Sequence, residues 1–168
     1  MRDRLVYRIA VLLAAIHASA VAVAREPWID FQVISDLDFR SSKPIYVAIH
    51  SQDELIALRN SEDGHSLNDT LTAKPDAKAL VDFQKYELLI ASSGTKPNSG
   101  YSLAFTSVRD VGVEVLVSVL DIGPGVSCPT AQEISHPRIF ALIPKSDKRV
   151  TFSVSRATVE CNTREGFH

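Results

Sequence analysis

Two-residue periodicity of the side chains marks the centre of the chain. Residues 113–120 place four valines on one face of a predicted strand, opposite Glu114, Leu116, Ser118 and Leu120. The apolar residues Tyr101, Leu103 and Phe105 also stand at every second position. Because successive side chains of a strand point to opposite faces, this period of two predicts β-strands with one face in a core.

Shorter apolar runs predict further strands on both sides of this region, over residues 29–33, 45–49, 83–91, 138–143 and 150–154. The run 83–91 is apolar enough for a central strand, whereas 29–33 alternates like a half-buried one. Gly123-Pro124-Gly125 is expected to end the strand that begins at Val113.

One helix start stands out among these strands. Ser51-Gln52-Asp53-Glu54 forms a capping box, in which the Ser51 hydroxyl accepts from the Glu54 N–H and the Glu54 carboxylate reaches back to the Ser51 N–H. Leu55, Ile56 and Leu58 supply an apolar face, and the helix is expected to end near Asn60. The polar stretch 61–76 predicts the longest loop.

These elements define the expected fold class. It is mainly β (α+β), an antiparallel sheet or sandwich of about six to seven strands with one short helix. A parallel α/β fold is disfavoured because its crossover helices are missing from the pattern. Residues 25–168 are expected to form a single domain, since no repeat or linker divides them.

The N-terminal residues 1–24 have the pattern of a secretory signal peptide. Arg2, Arg4 and Arg8 precede an apolar, alanine-rich run that ends in small residues. Cleavage is expected after Ala24, with Ala20 as the alternative, and no cysteine lies nearby to accept a lipid anchor. The predicted location is therefore periplasmic or secreted.

Charge excludes two classes of partner. Removing the three leader arginines and Asp3 from 18 basic and 20 acidic residues leaves a formal charge of −4. Lysine and arginine form no dense cluster, so nucleic acid is not an expected partner. The mature chain has no polybasic or amphipathic membrane segment either.

Cys128 and Cys161 are the only two cysteines. In an exported chain a single pair favours a disulfide, and two buried free thiols are the alternative. Cys128 with His136 as nucleophile and base is less well supported, because the disulfide already explains the cysteine.

The histidines of the mature chain, among them His50, His65 and His136, show no metal-ligand spacing. No catalytic residues, metal or cofactor are therefore predicted, and we expect a protein that is not an enzyme. A small-ligand or metal-binding periplasmic module, with a site assembled only in space, remains an alternative.

Several turn motifs follow one another in a defined order: Asp82-Phe83, then SGTKPNSGY over residues 93–101, Gly123-Pro124-Gly125, Ile134-Ser135-His136-Pro137 and Ile143-Pro144. In this order they resemble the C-terminal domain of the protease-complex subunit PrcB family, over roughly residues 45–144. The resemblance implies a secreted, non-enzymatic domain that associates with or stabilises a protease. It carries over no catalytic residues.

The segment Lys96–Tyr101 is also similar to the N-P-T-T-G-Y/F loop of chagasin-type inhibitors of cysteine proteases. Those inhibitors are immunoglobulin-like sandwiches that press three loops into the protease cleft. Gly123-Pro124-Gly125 and His136-Pro137-Arg138 would be the second and third loops here. The chain departs from that pattern, since Lys96 replaces the first asparagine and Arg138 stands in place of the usual aromatic residue.

The candidate contact surface is a partner-binding loop formed by Lys96, Pro97, Asn98, Gly100 and Tyr101, together with Pro137 and Arg138. A rigid turn that presents a tyrosine suits protein recognition. The alternative is purely structural, with Gly100 supplying a positive φ and Tyr101 packing on the sheet. The expected partner is a protein, and the resemblance to the PrcB family implies a protease.

Overall fold

The computed structural model describes residues 27–35, 37, 39–61 and 81–161. Within these ranges it contains seven strands and one helix: β1 (Gln32–Ile34), β2 (Pro44–Ile49), α1 (Gln52–Asn60), β3 (Tyr86–Ser93), β4 (Ser102–Asp110), β5 (Glu114–Pro124), β6 (Arg138–Pro144) and β7 (Arg149–Val159). The predicted fold class, mainly β with one short helix, is confirmed. The leader 1–24, the predicted loop from residue 62 to 76, and His65 lie outside the described residues.

The strands form two sheets, one of four strands in the order β1-β6-β3-β2 and one of three in the order β4-β5-β7. All neighbours are antiparallel except β5 and β7, which run parallel. Parallel neighbours need a long crossover connection. Residues 125–148 supply it here with a strand, because the chain passes through β6 in the opposite sheet before it returns as β7.

The main core lies between the two sheets. Its buried side chains come from both inner faces: Leu89, Ala91, Leu103, Phe105, Val108, Val115, Val117, Val119, Ala141 and Ile143. Val115, Val117 and Val119 are therefore inward, as their alternation predicts. Burial of these side chains is the main stabilising contribution to the sandwich.

A second core covers the outer face of the four-stranded sheet. Leu55 of α1 packs there with buried residues that include Leu88, Ile90 and Phe140. The central strand β3 is thus buried on both faces from Glu87 to Ser93, in agreement with its nearly continuous apolar sequence. The helix therefore covers the outer face of the four-stranded sheet. Among the described residues, no helix or strand covers the outer face of the three-stranded sheet.

The helix begins as predicted, with one difference in its cap. The Ser51 hydroxyl accepts from the Glu54 N–H at 3.2 Å. The Glu54 carboxylate, however, accepts from the N–H of His50 at 2.8 Å rather than from Ser51. Ile56 was expected on the apolar face but is 46% exposed, so Leu55 is the main anchor of the helix.

Several strand boundaries and exposures differ from the sequence predictions, and β1 begins at Gln32 rather than at residue 29, while β3 begins at Tyr86 rather than at residue 83. Val33 lies in β1 but is 54% exposed, and Val113 is 88% exposed because it belongs to the β4–β5 turn at Gly112. β5 continues through Gly123 to Pro124, and β7 continues to Val159. Pairing with β5 over its whole length explains the extra length of β7, since sequence alternation alone ends at Val154. No helix among the described residues is long and apolar enough to cross a membrane.

Candidate functional site

Two loops at one end of the sandwich pair with each other, and we refer to residues 94–100 and 131–137 as the paired loops. Lys96 N donates to Ser135 O at 2.9 Å, and Ser135 N returns a bond to Lys96 O at 3.1 Å. Farther along, Ser99 N donates to Ala131 O at 3.0 Å. The Ser135 hydroxyl donates to Asn98 O at 2.7 Å. The predicted contact loop is therefore one half of a hydrogen-bonded ribbon.

The ribbon is anchored to the sheet at its base. Gly94 has a φ of +75°, and a Cβ at this position would lie 2.9 Å from the Lys43 carbonyl carbon. Only glycine fits this combination of conformation and close approach. Beside it, Thr95 N donates to Ser42 O at 3.2 Å and Ser93 N donates to Pro137 O at 3.1 Å. The paired loops thus start from a fixed backbone.

The segment Gly123-Pro124-Gly125, expected as a second loop, lies against the first paired loop, but Gly123 and Pro124 belong to β5, so the expectation of a loop at these two residues is wrong. Gly100 has a φ of +97°, and a Cβ there would lie 3.2 Å from both Pro124 and Thr130. This conformation confirms that Gly100 serves the turn, as the structural alternative predicts. The partly exposed Tyr101 ring lies over Gly123, whose missing side chain leaves room for it.

Charged and aromatic groups meet beside this turn. Lys96 Nζ lies 5.3 Å from the centre of the Tyr101 ring and 3.7 Å from Asp121 Oδ2. Asp121 is buried at the end of β5, next to Arg156 of β7. The pKa of the Tyr46 hydroxyl is raised, first by burial and then by the Asp121 carboxylate, and Arg156 opposes the shift. The contacts of Lys96 with Asp121 and with the Tyr101 ring hold the lysine beside this ring.

The predicted site residues are brought together, but they are not equally accessible. Pro97 and Gly100 are exposed, and Asn98 and Tyr101 are partly exposed. Pro137 is buried and its carbonyl serves the ribbon, so it offers little contact surface. Arg138 begins β6 and donates to the His136 carbonyl at 3.4 Å.

An exposed apolar side chain in the second paired loop was not among the predicted site residues. Ile134 is 69% exposed, and it is followed by Ser135, which pairs with Lys96. Ile134 is one of several large apolar side chains exposed among the described residues, and a contiguous group of such side chains, rather than a single one, is typical of contact surfaces. Its apolar character was visible in the sequence, but nothing there distinguishes an exposed isoleucine from a buried one.

The cysteine pair secures the neighbouring loop. Cys128 and Cys161 lie at disulfide distance, with their Cα atoms 4.7 Å apart. The Ser127 hydroxyl donates to Glu160 Oε2 at 2.9 Å and accepts from Cys161 N at 3.1 Å. The loop after β5 is therefore tied to the end of β7. This bond also leaves Cys128 without a free thiol to act as a nucleophile.

The described histidines contact separate parts of the fold. His136 Nδ1 lies 3.3 Å from Ser41 O, whereas His50 Nδ1 lies 3.5 Å from Glu87 Oε2. Among the residues that the structure describes, no three or more histidine, cysteine, aspartate or glutamate side chains form a group that could hold a metal ion.

A known protein family matches the part of the chain that contains the paired loops. The family described as PrcB C-terminal matches residues 88–144, a range that includes most of β3, all of β4, β5 and β6, and both paired loops. This match confirms the resemblance of the turn motifs to the PrcB C-terminal family. No curated protein and no solved structure matches the chain.

Proposed function

We propose that this protein is an exported, non-enzymatic single domain, formed by residues 25–168, that binds a protein partner through the paired loops. The partner class that best fits the family is a protease, which the domain would associate with or stabilise. The observation that carries the proposal is the position of the paired loops within the family match, on a rigid backbone that exposes Pro97, Tyr101 and Ile134.

The rigidity of this surface supports a binding role. The two loops hold each other through backbone bonds, Gly94 fixes their base, and the disulfide secures the adjacent loop. A contact surface that is already ordered loses less conformational entropy when a partner binds. Aromatic side chains such as Tyr101 are enriched at such interfaces.

The disulfide also supports export. Such bonds form and persist in oxidising compartments, among them the bacterial periplasm and the cell exterior. Because the Cys128–Cys161 geometry is that of a disulfide, the protein fits a location outside the cytosol. The leader-like sequence of residues 1–24 points to the same location.

A capture experiment tests the proposal. Protein expressed with its natural N-terminus would be purified without reduction, immobilised and exposed to periplasmic and culture-supernatant extracts of its source organism. Mass spectrometry of the bound fraction is expected to identify a protease. A bound fraction without any protease, from extracts in which proteases are detected, would contradict the assignment of partner class.

One observation favours a second candidate, a chagasin-like inhibitor of cysteine proteases. The Tyr101 ring of the turn Lys96–Tyr101 contacts Gly123, and Ser93 N beside this turn donates to Pro137 O, so the three segments are neighbours. Gly123 and Pro124 belong to β5, however, and Pro137 is buried, so the second and third segments are not free loops. Titration of a papain-type enzyme with the purified domain separates the two functions. Stoichiometric inhibition would favour the inhibitor, and unchanged enzyme activity would favour the associated domain.

A further inference from the structure

Among the described residues, β7 leaves one long edge of the three-stranded sheet unpaired. β7 is the last strand in the order β4-β5-β7 and pairs only with β5 among the described strands. Its register with β5 runs from Arg149 to Val159 without a shift. β7 therefore presents a straight edge of 11 residues, which is long for a strand in a globular protein.

Hydrogen bonding identifies the backbone groups on this open edge. Gly125 N donates to Val159 O at 2.9 Å, so the Val159 carbonyl points towards β5. Backbone groups of successive strand residues point alternately to the two sides. The N–H and C=O groups of Val150, Phe152, Val154, Arg156 and Thr158 consequently point away from β5.

The other edges are shorter or covered. The edge of β4 is bonded to the segment before β1, where Ile29 N donates to Val108 O at 3.0 Å and Asp110 N donates to Pro27 O at 3.1 Å. β1 has three residues, and β2 has six and begins with Pro44. β7 contains no proline and no bulge, the features that commonly protect an edge from pairing.

The second half of β7 is accessible from both faces. The four consecutive residues Ser153–Arg156 are all exposed. The neighbouring edge β2 reaches β7 at Tyr46, whose ring centre lies 6.4 Å from that of Phe152. Beyond this contact, no described strand pairs with the outer edge of β7.

Charge indicates which kind of strand fits. Arg149 and Arg156 are exposed, and no carboxylate lies between Lys148 and Val159. The residues opposite these arginines on β5 are Glu114 and Asp121. Each of these carboxylates also has a second partner, since Glu114 accepts from Thr151 at 2.7 Å and Asp121 lies 3.7 Å from Lys96. Edge-to-edge pairing of two copies would bring the four arginines of the two β7 strands together, whereas a strand with carboxylates would complement them.

We propose that the open edge of β7 binds an extended, acidic segment of a partner protein, which adds to the sheet as a fourth strand. Main-chain hydrogen bonds to the outward groups of β7 would supply affinity, and the two arginines would select carboxylates. This surface lies outside the family match and does not depend on the role of the paired loops.

The test uses the full purified chain and a short synthetic peptide that alternates valine and threonine and carries a glutamate near each end. Calorimetric titration is expected to show binding. Val154→Pro should weaken it about tenfold or more, because the substitution removes an outward N–H and places a ring against the incoming strand. Since this N–H faces away from β5, the ladder and the circular dichroism spectrum should be preserved.

Four controls keep the result decisive. The same peptide with alternate amides N-methylated should not bind, and a version with glutamine for glutamate should bind about tenfold more weakly. If Val154→Pro does not fold, the double variant Arg149→Gln and Arg156→Gln should reproduce the loss. Ile134→Asp in the paired loops should bind the peptide like the native protein.

Several outcomes would overturn the proposal. Equal binding of the N-methylated peptide would exclude strand addition, and absence of binding by the acidic peptide would exclude the proposed partner chemistry. A dimer detected by sedimentation that Val154→Pro dissociates would assign the edge to a second copy of the chain instead.

Discussion

The ring of Tyr101 lies directly over Gly123, where a Cβ would approach the Tyr101 Cε1 atom to 3.3 Å. This cross-strand pair joins the predicted contact loop to the strand β5. Tyr101 therefore has a packing role whatever else it contacts, and its substitution by alanine is a poor test of binding alone.

We expect Tyr101→Ala to lower the free energy of unfolding by about 2 kcal/mol, below the ~3–5 kcal/mol typical of a fully buried aromatic residue, because the ring is partly exposed. Tyr101→Phe keeps the ring and should remain close to the native stability. Urea unfolding of both variants measures the difference. Equal stability of the alanine variant and the native protein would mean that the ring does not support the turn.

The glycines Gly94 and Gly112 form a matched pair for the anchoring of the paired loops. Both have positive φ, but a Cβ on Gly94 would meet backbone at 2.9 Å, whereas nothing lies within 4 Å at Gly112. Gly112→Ala should cost about 1–2 kcal/mol from conformation alone. Gly94→Ala should cost clearly more in the same denaturation assay, and equal costs would refute the close approach.

The disulfide should stabilise the protein by about 3 kcal/mol, because it closes a long loop in the unfolded chain. The two cysteines are 33 positions apart. Thiol titration of unfolded, unreduced protein is expected to find no free thiol. The double variant Cys128→Ser and Cys161→Ser should show the loss of stability in thermal melts, and two free thiols in the native protein would contradict the bond.

Acidification should destabilise the turn between β4 and β5. Hydrogen bonds from Lys148 and from the Gly112 N–H, together with the charge of Lys148, hold the pKa of Asp110 below its ordinary value of 3.8. A group with a lowered folded pKa contributes stability above its unfolded pKa and loses it as the pH falls through the folded pKa. Unfolding measured in steps below pH 3.8 should show this loss, and Lys148→Met should reduce it. An identical pH dependence in the variant would exclude the ion pair as its cause.

Local pattern predicted much of this fold, because the relevant forces act within a few residues. The inward valines of β5, the buried strand β3 and the helix cap at Ser51 all follow from periodicity and capping chemistry. The parallel pairing of β5 with β7 does not, since it depends on residues 125–148 crossing to the other sheet. Long-range pairing has no signal in the alternation of either strand.

In the candidate site, too, local features could be predicted from the sequence and long-range pairing could not. The turn residues predicted a rigid loop with Gly100 at positive φ, as observed. The sequence did not reveal that the loop pairs with residues 131–137, which buries Pro137 and leaves Ile134 in the open. Exposure is set by neighbours distant in sequence, so it appears only when both loops are in place.

The central claim is that the paired loops are the surface that binds a protein partner. Ile134 and Val113 are both apolar and exposed, at 69% and 88%, but Val113 lies in the turn between β4 and β5, away from the paired loops. The most direct measurement is the affinity of the captured protease for the native protein, Ile134→Asp and Val113→Asp, with folding of each checked by circular dichroism. We predict a loss of about tenfold or more for Ile134→Asp, as for an apolar anchor in an interface, and none for Val113→Asp. Native affinity for Ile134→Asp, or a loss confined to Val113→Asp, would contradict the claim.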